Sequence, residues 1–200
     1  YILFITDQQR YDHLGCNGHP VLKTPNIDAI ADEGVTYDRF YVASPVCMPN
    51  RASLMTCRMP SSHGVRSLGI PLSLDNVTFV ELMRAAGYDT ALIGKSHLQN
   101  VTDWPHKLDP QEPRDGFAAP PDDLAVAIRS DLDNGTYQYE REAFFEDETA
   151  EVPLPFYGFD KYVAVTRHGF NTGGDHARHV RTTAPDAFAQ RGRTNQFAHD

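Results

Sequence analysis

The first hundred residues alternate between short apolar runs, which are typical of strands, and amphipathic segments, which are typical of helices. The predicted strands are residues 1–6, 35–43 and 88–95, and the predicted helices are residues 24–34, 49–56 and 74–88. Strands and helices in this order predict an α/β fold with a mostly parallel sheet sandwiched by helices.

Local signals set the expected ends of the helices. Thr24 suits the N-cap of the first helix, Pro25 its first position, and Gly34 a left-handed end. Pro49 is expected to open the second helix. For the third helix we expect a cap at Asp75 or Asn76, a core-facing set of Phe79, Leu82 and Met83, and an end at Gly87.

The pattern weakens after residue 98, so we interpret residues 1–98 as a core and residues 100–160 as an acidic, Pro-rich insertion. A helix is predicted only around residues 124–132, and the aromatic run at 156–165 indicates that packing resumes there. Residues 161–200 are weakly patterned. Because the chain opens on an apolar run without Met, we interpret it as a fragment whose true N-terminus is missing.

The composition of the chain excludes some classes of protein. The chain has 200 residues, of which 40% are hydrophobic, and a formal charge of -9. Residues 101–160 hold 15 of the 27 acidic residues and four of the 18 basic ones, so no basic stripe for nucleic acid is visible. No apolar run of about 18 residues and no signal peptide is present, which predicts no membrane contact and favours a cytoplasmic location, although a truncated N-terminus leaves targeting undecided.

Polar residues follow each predicted strand. Asp7 and Gln8 follow the first, Cys47 comes after the second, and Lys95 and His97 follow the third. In open α/β sheets, sites gather outside the carboxyl ends of the strands. We therefore expect these five residues to converge.

Cys47 lies just before or at the start of the second helix, where unpaired backbone N–H groups and the helix dipole favour an anion. Arg51, four residues on, can project back toward Cys47 and bind a sulfate or phosphate group. The alternative is a buried structural cysteine with a surface arginine. With only three cysteines and no C-x-x-C spacing, neither a disulfide framework nor a zinc finger is expected.

The other strand-end residues also have two interpretations. Asp7 and Gln8 offer hard oxygen ligands for a divalent cation, or else form an ordinary turn. Lys95 and His97 suit charge neutralisation and proton transfer to a leaving group, or else belong to an ordinary polar loop.

The ordered combination of these residues resembles the sulfatase family of the alkaline phosphatase superfamily, including its phosphonate monoester hydrolase branch. The segment CMPNR at residues 47–51 matches the C-x-P-x-R element that directs oxidation of cysteine to formylglycine in that family. The segments RASLMT, TFVELMRAAGYDTALIGK and GKSHL are similar to family sequence as well. The resemblance is dense over residues 1–98 and thin beyond them.

The resemblance implies a role for each residue. Asp7 and Gln8, together with the modified Cys47, would bind one divalent metal ion, with Ca²⁺ preferred over Mn²⁺ or Mg²⁺. Cys47, oxidised by a formylglycine-generating enzyme, would become an aldehyde whose hydrate attacks a small-molecule or carbohydrate sulfate ester. Arg51 would hold that hydrate. Lys95 and His97 would contact the ester oxygens.

The chain departs from the family pattern at two places. Cys57 stands where the family usually has Gly, which would permit close packing or a left-handed turn. The Asp followed by His or Asn that completes the family's metal site has no clear counterpart, and we interpret Asp175–His176 as a loop. The resemblance therefore implies that residues 1–200 are the N-terminal part of a sulfatase-type catalytic domain with an alkaline phosphatase-like fold, incomplete at the C-terminus. We expect residues 1–200 alone to be poorly active.

Two other functions stay open from the sequence. One is hydrolysis of a phosphonate or phosphate diester with the same machinery. The other is a non-catalytic protein in which Cys47 remains a thiol.

Overall fold

The computed structural model describes residues 1–101, 115–116 and 135–191. The chain divides into two compact units, residues 1–42 and residues 43–200. The predicted helix at 124–132 and most of the predicted insertion lie outside the described residues. No helix in the described part of the chain is long and apolar enough to span a membrane.

The first unit contains one short 3₁₀ turn, Gly15–Asn17, and one helix, α1 (Pro25–Glu33). Thr24 is the residue before α1, as predicted, but its hydroxyl donates to Asp28 Oδ1 at 2.7 Å and accepts the Gly15 N–H at 2.8 Å. It therefore joins the helix to the 3₁₀ turn and does not cap a helix N–H. The prediction that Gly34 is left-handed is wrong, because its φ is -120°.

Two predicted strands are absent from the structure. Residues 1–6 and 35–43 form no strand, and their apolar side chains are exposed, for example Phe4 at 83% and Phe40 at 79%. A strand needs a neighbour to take its backbone hydrogen bonds. Within residues 1–42, which are all described, no segment pairs with either run. An apolar sequence pattern alone was therefore insufficient to predict a strand.

In the second unit, α2 (Cys47–Thr56) begins at Cys47, two residues before the predicted start at Pro49. Proline is tolerated in a first turn because its missing N–H would have no partner inside the helix. The helix buries Met48, Ala52 and Met55. It ends at Cys57, whose φ of 56° and ψ of 30° confirm a left-handed turn at the position where glycine was expected.

Helix α3 (Pro60–His63) follows and packs against α2. The His63 Nδ1 atom accepts the Val65 N–H at 3.1 Å, so the proton of the neutral ring lies on Nε2, 2.9 Å from Ser53 Oγ. Both side chains are buried. Burial lowers the pKa of His63 from its ordinary value, so the neutral ring is the form that fits.

Helix α4 (Phe79–Ala85) starts later than predicted. Its N-cap is Thr78, whose hydroxyl accepts the Glu81 N–H at 3.2 Å while the Glu81 carboxylate accepts the Thr78 N–H at 2.7 Å. This capping box replaces the predicted cap at Asp75 or Asn76. Gly87, the predicted helix end, lies two residues beyond the last residue of α4 and is left-handed, with φ of 88°.

The buried face of α4 differs in part from the prediction. Val80 is buried, Phe79 and Met83 are half-buried, and Leu82 is 64% exposed. The later start and an earlier end, at Ala85, shorten the helix to seven residues. Helical spacing identifies apolar residues that share a face, but the partners available in the fold select which of them are buried.

The predicted third strand is confirmed as β1 (Ala91–Gly94), and the aromatic run contains β2 (Lys161–Ala164). The two strands are parallel, with Ala91 opposite Lys161 and Gly94 opposite Ala164. This pairing confirms the predicted α/β class with a parallel sheet. The core joins α2, α4 and the aromatic run through Met48, Ala52, Met55, Val65, Leu72, Val80, Leu98, Phe156, Tyr157 and Phe159.

The remaining described helices are α5 (Glu142–Glu146), α6 (Gly174–Thr183) and α7 (Pro185–Ala189), with a 3₁₀ turn at Gly169–Asn171. The interpretation of Asp175–His176 as a loop is wrong, because both residues lie in the first turn of α6. The Asp175 Oδ2 atom accepts the Ala164 N–H at 2.8 Å, which anchors α6 to the end of β2. The Gly-rich sequence before α6 is typical of a loop, so the start of this helix was not predicted.

The left-handed turn at Cys57 predicts a stabilising substitution. Replacing Cys57 with Gly should raise the free energy of unfolding by about 1 kcal/mol, because glycine has no Cβ to strain this conformation. Urea denaturation measures the change. Cys57→Ala removes the thiol but keeps the Cβ and should differ from wild type by less than about 0.5 kcal/mol. Equal stability of the Gly and Ala variants would contradict the prediction.

The buried His63 predicts a pH dependence of stability. Its folded pKa lies below its unfolded pKa, so its contribution is complete above the unfolded value, about 6.5, and is lost as pH falls through the folded value. Urea denaturation at several pH values from 7.5 to about 5 should show this decrease, and His63→Gln should make it smaller. Replacing the exposed His179 with Gln should leave the decrease in stability with falling pH unchanged. If His63→Gln showed the same decrease as wild type, the prediction would be contradicted.

Candidate active site

Cys47 is the first residue of α2 and is half-buried. The preceding residue, Val46, is extended, with φ of -98° and ψ of 135°, and no side chain caps the helix start. The fully buried Met48 fixes this turn against the core. The Cys47 side chain therefore lies at the positive end of a ten-residue helix whose first N–H groups have no side-chain cap.

Arg51 is one turn further along α2 and is only 7% exposed, so the alternative of a surface arginine is wrong. Its Nη1 atom donates a hydrogen bond to the carbonyl oxygen of Lys95 at 2.5 Å. A buried guanidinium requires such acceptors, because an unmatched charge in the core is costly. The structure thus brings together the segment of Cys47 and Arg51 with the segment that follows β1.

The segment that follows β1, residues 95–99, is called the β1 loop below. Lys95 is half-buried, and residues 96–99 are buried. His97 has a left-handed backbone, with φ of 51°, which is uncommon for a residue with a side chain. Lys95 and His97 therefore follow a strand end, as predicted, in a loop enclosed by protein.

The β1 loop surrounds a carboxylate that the sequence analysis missed. Glu140 is fully buried, and among the described residues five groups donate hydrogen bonds to its carboxylate. They are donated by Ser96 Oγ, His97 N and Tyr162 Oη to Oε1, at 2.9, 2.7 and 3.2 Å, and by Leu98 N and Gln99 N to Oε2, at 2.7 and 2.5 Å.

Glu140 was missed because it lies in the segment that was interpreted as an acidic, Pro-rich insertion. Burial raises the pKa of Glu140 above its ordinary value, and the hydrogen bonds that it accepts act in the opposite direction. Its position next to Tyr139 is no distinguishing signal for burial, because the exposed Glu146 also follows an aromatic residue, Phe145. The loop that binds Glu140 lies about 40 residues earlier in the chain, so the sequence around Glu140 does not indicate this partner.

Asp7 and Gln8 lie in the first unit and are exposed, and Gln8 is left-handed with φ of 59°. Cys47, the third predicted metal ligand, belongs to the second unit. Among the described residues, no group of three or more His, Cys, Asp or Glu side chains is arranged to hold a metal ion. The ligand set of Asp7, Gln8 and Cys47 stays a prediction, as does the division of the chain at residues 98, 100 and 160.

Comparison with known proteins agrees with the fold and with the sequence motifs. The model of the Sulfatase family matches residues 1–147. Arylsulfatase A of Homo sapiens is 41% identical over 103 residues, which cover 48% of this chain and 20% of that protein. The ulvan-active sulfatase of Formosa agariphila is 32% identical over 151 residues, covering 76% of this chain and 27% of that protein.

A solved structure extends the similarity to most of the chain. The phosphonate monoester hydrolase of Agrobacterium radiobacter is similar with a TM-score of 0.55 and 26% identity, covering 91% of this chain and 28% of that one. The present chain thus spans between 20% and 28% of the length of these three proteins. By the match over residues 1–147, the chain belongs to the sulfatase family.

Proposed function

We propose that this protein hydrolyses sulfate esters and that Cys47, converted to formylglycine, supplies the attacking group. The observation that carries the proposal is the hydrogen bond from Arg51 to the Lys95 carbonyl. This bond joins the C-x-P-x-R segment to the β1 loop, so two sequence motifs of the family are adjacent in the fold. Family membership supports the reaction class.

The charges around α2 suit a sulfate group. The N-terminal end of the helix carries a partial positive charge, and Arg51 and Lys95 add two full positive charges. In a site shielded from water, fixed positive groups stabilise charge that develops on the ester oxygens during bond cleavage. Arg51 would orient the modified Cys47, and Lys95 would neutralise charge on the ester.

His97 is the candidate proton donor to the departing alcohol. Imidazole titrates near neutral pH, so it can hold a proton for the leaving group and release it during the reaction. The buried, left-handed backbone of His97 limits where its ring can point. A fixed ring direction favours proton transfer, because the donor must lie within hydrogen-bond reach of the leaving oxygen.

The proposed function includes a bound divalent cation. The Asp7 carboxylate and the Gln8 amide are oxygen donors of the kind that Ca²⁺ and Mg²⁺ take, and they would contribute two of the six to eight ligands that Ca²⁺ requires. Their donor chemistry therefore fits a hard cation. When bound, such an ion would supply positive charge that stabilises a developing negative charge and acidifies a hydroxyl group.

A phosphonate or phosphate diester is the second candidate substrate. The observation that favours it is the similarity to the phosphonate monoester hydrolase of Agrobacterium radiobacter over 91% of this chain. Paired assays of the full-length protein with an aryl sulfate and an aryl phosphonate ester separate the two reactions. If kcat/KM were higher for the phosphonate ester than for the sulfate ester, phosphonate hydrolysis would be the main function.

Modification of Cys47 is open to a direct test. When the full-length protein is produced together with a formylglycine-generating enzyme, the tryptic peptide that ends at Arg51 should be about 18 Da lighter than the cysteine form. Cys47→Ala should lower aryl sulfate hydrolysis by at least about a thousandfold, because the attacking group is lost. Mass spectrometry and a chromogenic assay measure the two effects.

Cys57 provides the matched control, since it lies at the other end of the same helix and is exposed. Cys57→Ala should keep both the mass shift at Cys47 and the activity. An unmodified peptide in the presence of the converting enzyme, with full activity in Cys47→Ala, would refute the proposed function. An unmodified peptide without activity would favour the non-catalytic alternative.

The role of Arg51 predicts a separate result. Arg51→Lys keeps the charge but loses the planar guanidinium, so we expect kcat/KM to fall by about 10- to 1,000-fold while Cys47 remains modified. Steady-state kinetics on the modified protein measure this loss. The exposed Arg66, changed to Lys in the same way, should leave kcat/KM within about twofold of wild type. A similar result for both variants would exclude a specific role for Arg51.

A further inference from the structure

We propose that Glu140 is a positioning residue that fixes the β1 loop, and through it Lys95 and His97, for the reaction. The catalytic part of this inference rests on the proposed function. The contact itself rests on the geometry, because one carboxylate accepts hydrogen bonds from three consecutive backbone N–H groups, those of His97, Leu98 and Gln99.

The donors around Glu140 require a carboxylate specifically. The three backbone N–H groups can only donate, so each needs an acceptor oxygen. The two hydroxyl groups, of Ser96 and Tyr162, can donate or accept. Charge-assisted hydrogen bonds to a carboxylate are shorter and stronger than neutral ones, and four of these five measure 2.9 Å or less.

The contact is held from several sides. Gln99 Oε1 accepts the Tyr139 N–H at 3.0 Å, so the loop also accepts a hydrogen bond from the segment that carries Glu140. On its other edge, the Leu98 carbonyl accepts the Leu72 N–H at 2.8 Å. These hydrogen bonds and the contact with Glu140 together restrain the β1 loop.

His97 is the residue through which this contact reaches the proposed chemistry. A left-handed backbone is unfavourable for a residue with a Cβ and persists where the surroundings hold it. The His97 N–H bond to Glu140 is part of that restraint, and the backbone at residue 97 sets the direction of the imidazole. Lys95, two residues earlier, is tied to Arg51 through its carbonyl. Displacing the loop would therefore disturb His97, Lys95 and Arg51 together.

An amide at position 140 cannot satisfy the same donors. In Glu140→Gln, the new NH₂ group can face Ser96 and Tyr162, whose hydroxyls accept, but then it opposes the His97 N–H. If it faces the other side, it opposes the N–H groups of Leu98 and Gln99. Either orientation leaves at least one loop N–H without an acceptor, so the substitution disturbs the loop while preserving side-chain size.

The test compares Glu140→Gln, Glu140→Asp and the exposed Glu146→Gln in the full-length protein carrying modified Cys47. We expect Glu140→Gln to lower kcat for aryl sulfates by about a hundredfold, with KM changed less than about threefold, because misplacement of catalytic groups affects the reaction more than binding. Glu140→Asp keeps the charge and should recover part of the activity. Glu146→Gln should match wild type.

Leaving-group dependence distinguishes positioning from general stability. A misplaced His97 is a poor proton donor, so the loss in Glu140→Gln should be larger for phenyl sulfate than for 4-nitrophenyl sulfate, whose leaving group needs less protonation. A purely structural role would lower both rates by the same factor. Mass spectrometry of the Cys47 peptide and the melting temperature show that the compared proteins are equally modified and folded. If Glu140→Gln fails to fold, Glu140→Asp is compared with wild type by the same leaving-group ratio.

Amide hydrogen exchange at residues 97–99 tests the contact without any activity. Exchange should accelerate in Glu140→Gln and stay unchanged in Glu146→Gln. Unchanged exchange, or a wild-type kcat with a wild-type leaving-group ratio, would overturn the inference. A wild-type protein inactive on sulfates and phosphonates would instead overturn the proposed function and the catalytic part of the inference, and the exchange result would still show whether Glu140 holds the loop.

Discussion

The buried carboxylate of Glu140 is the constraint on which the second unit depends. A charge removed from water is tolerated only where donors replace its hydration, and here the protein supplies five. Those donors come from the β1 loop and from β2, so satisfying one carboxylate fixes the end of the parallel sheet. Breaking any of these bonds would leave a buried polar group without a partner, which is why the arrangement holds as a unit.

A second buried charge extends this arrangement to α2. Arg51 donates to the Lys95 carbonyl, at the beginning of the same loop whose next four residues surround Glu140. The start of α2, where Cys47 lies, is fixed separately by the core packing of Met48 and Ala52. Apolar packing thus determines where the helix begins, and polar contacts determine which loop lies beside it. The proposed chemistry needs both, since a modified Cys47 and the groups of the β1 loop must meet at one ester.

Prediction from the sequence succeeded where the signals are local. The beginning of α1 after Thr24, the end of α4 near Gly87 and strand β1 were all predicted from neighbouring residues. It failed where a partner distant in sequence decides the outcome. The apolar runs at 1–6 and 35–43 form no strand, and Leu82 is exposed although it shares a helical stripe with half-buried residues. Glu140 belongs to the same group, because its partners in the β1 loop lie about 40 residues away.

The sequence by itself determined the class of fold, the family and the candidate residues, because side-chain periodicity and the order of short motifs are properties of the chain. The motif from Cys47 to Arg51 can be identified without any structure. Only the tertiary structure decided which of these residues are neighbours and which acidic side chain is buried among them. The physical reason is that burial and hydrogen-bond satisfaction depend on the whole set of surrounding groups, and no local sequence encodes a partner that arrives from elsewhere in the chain.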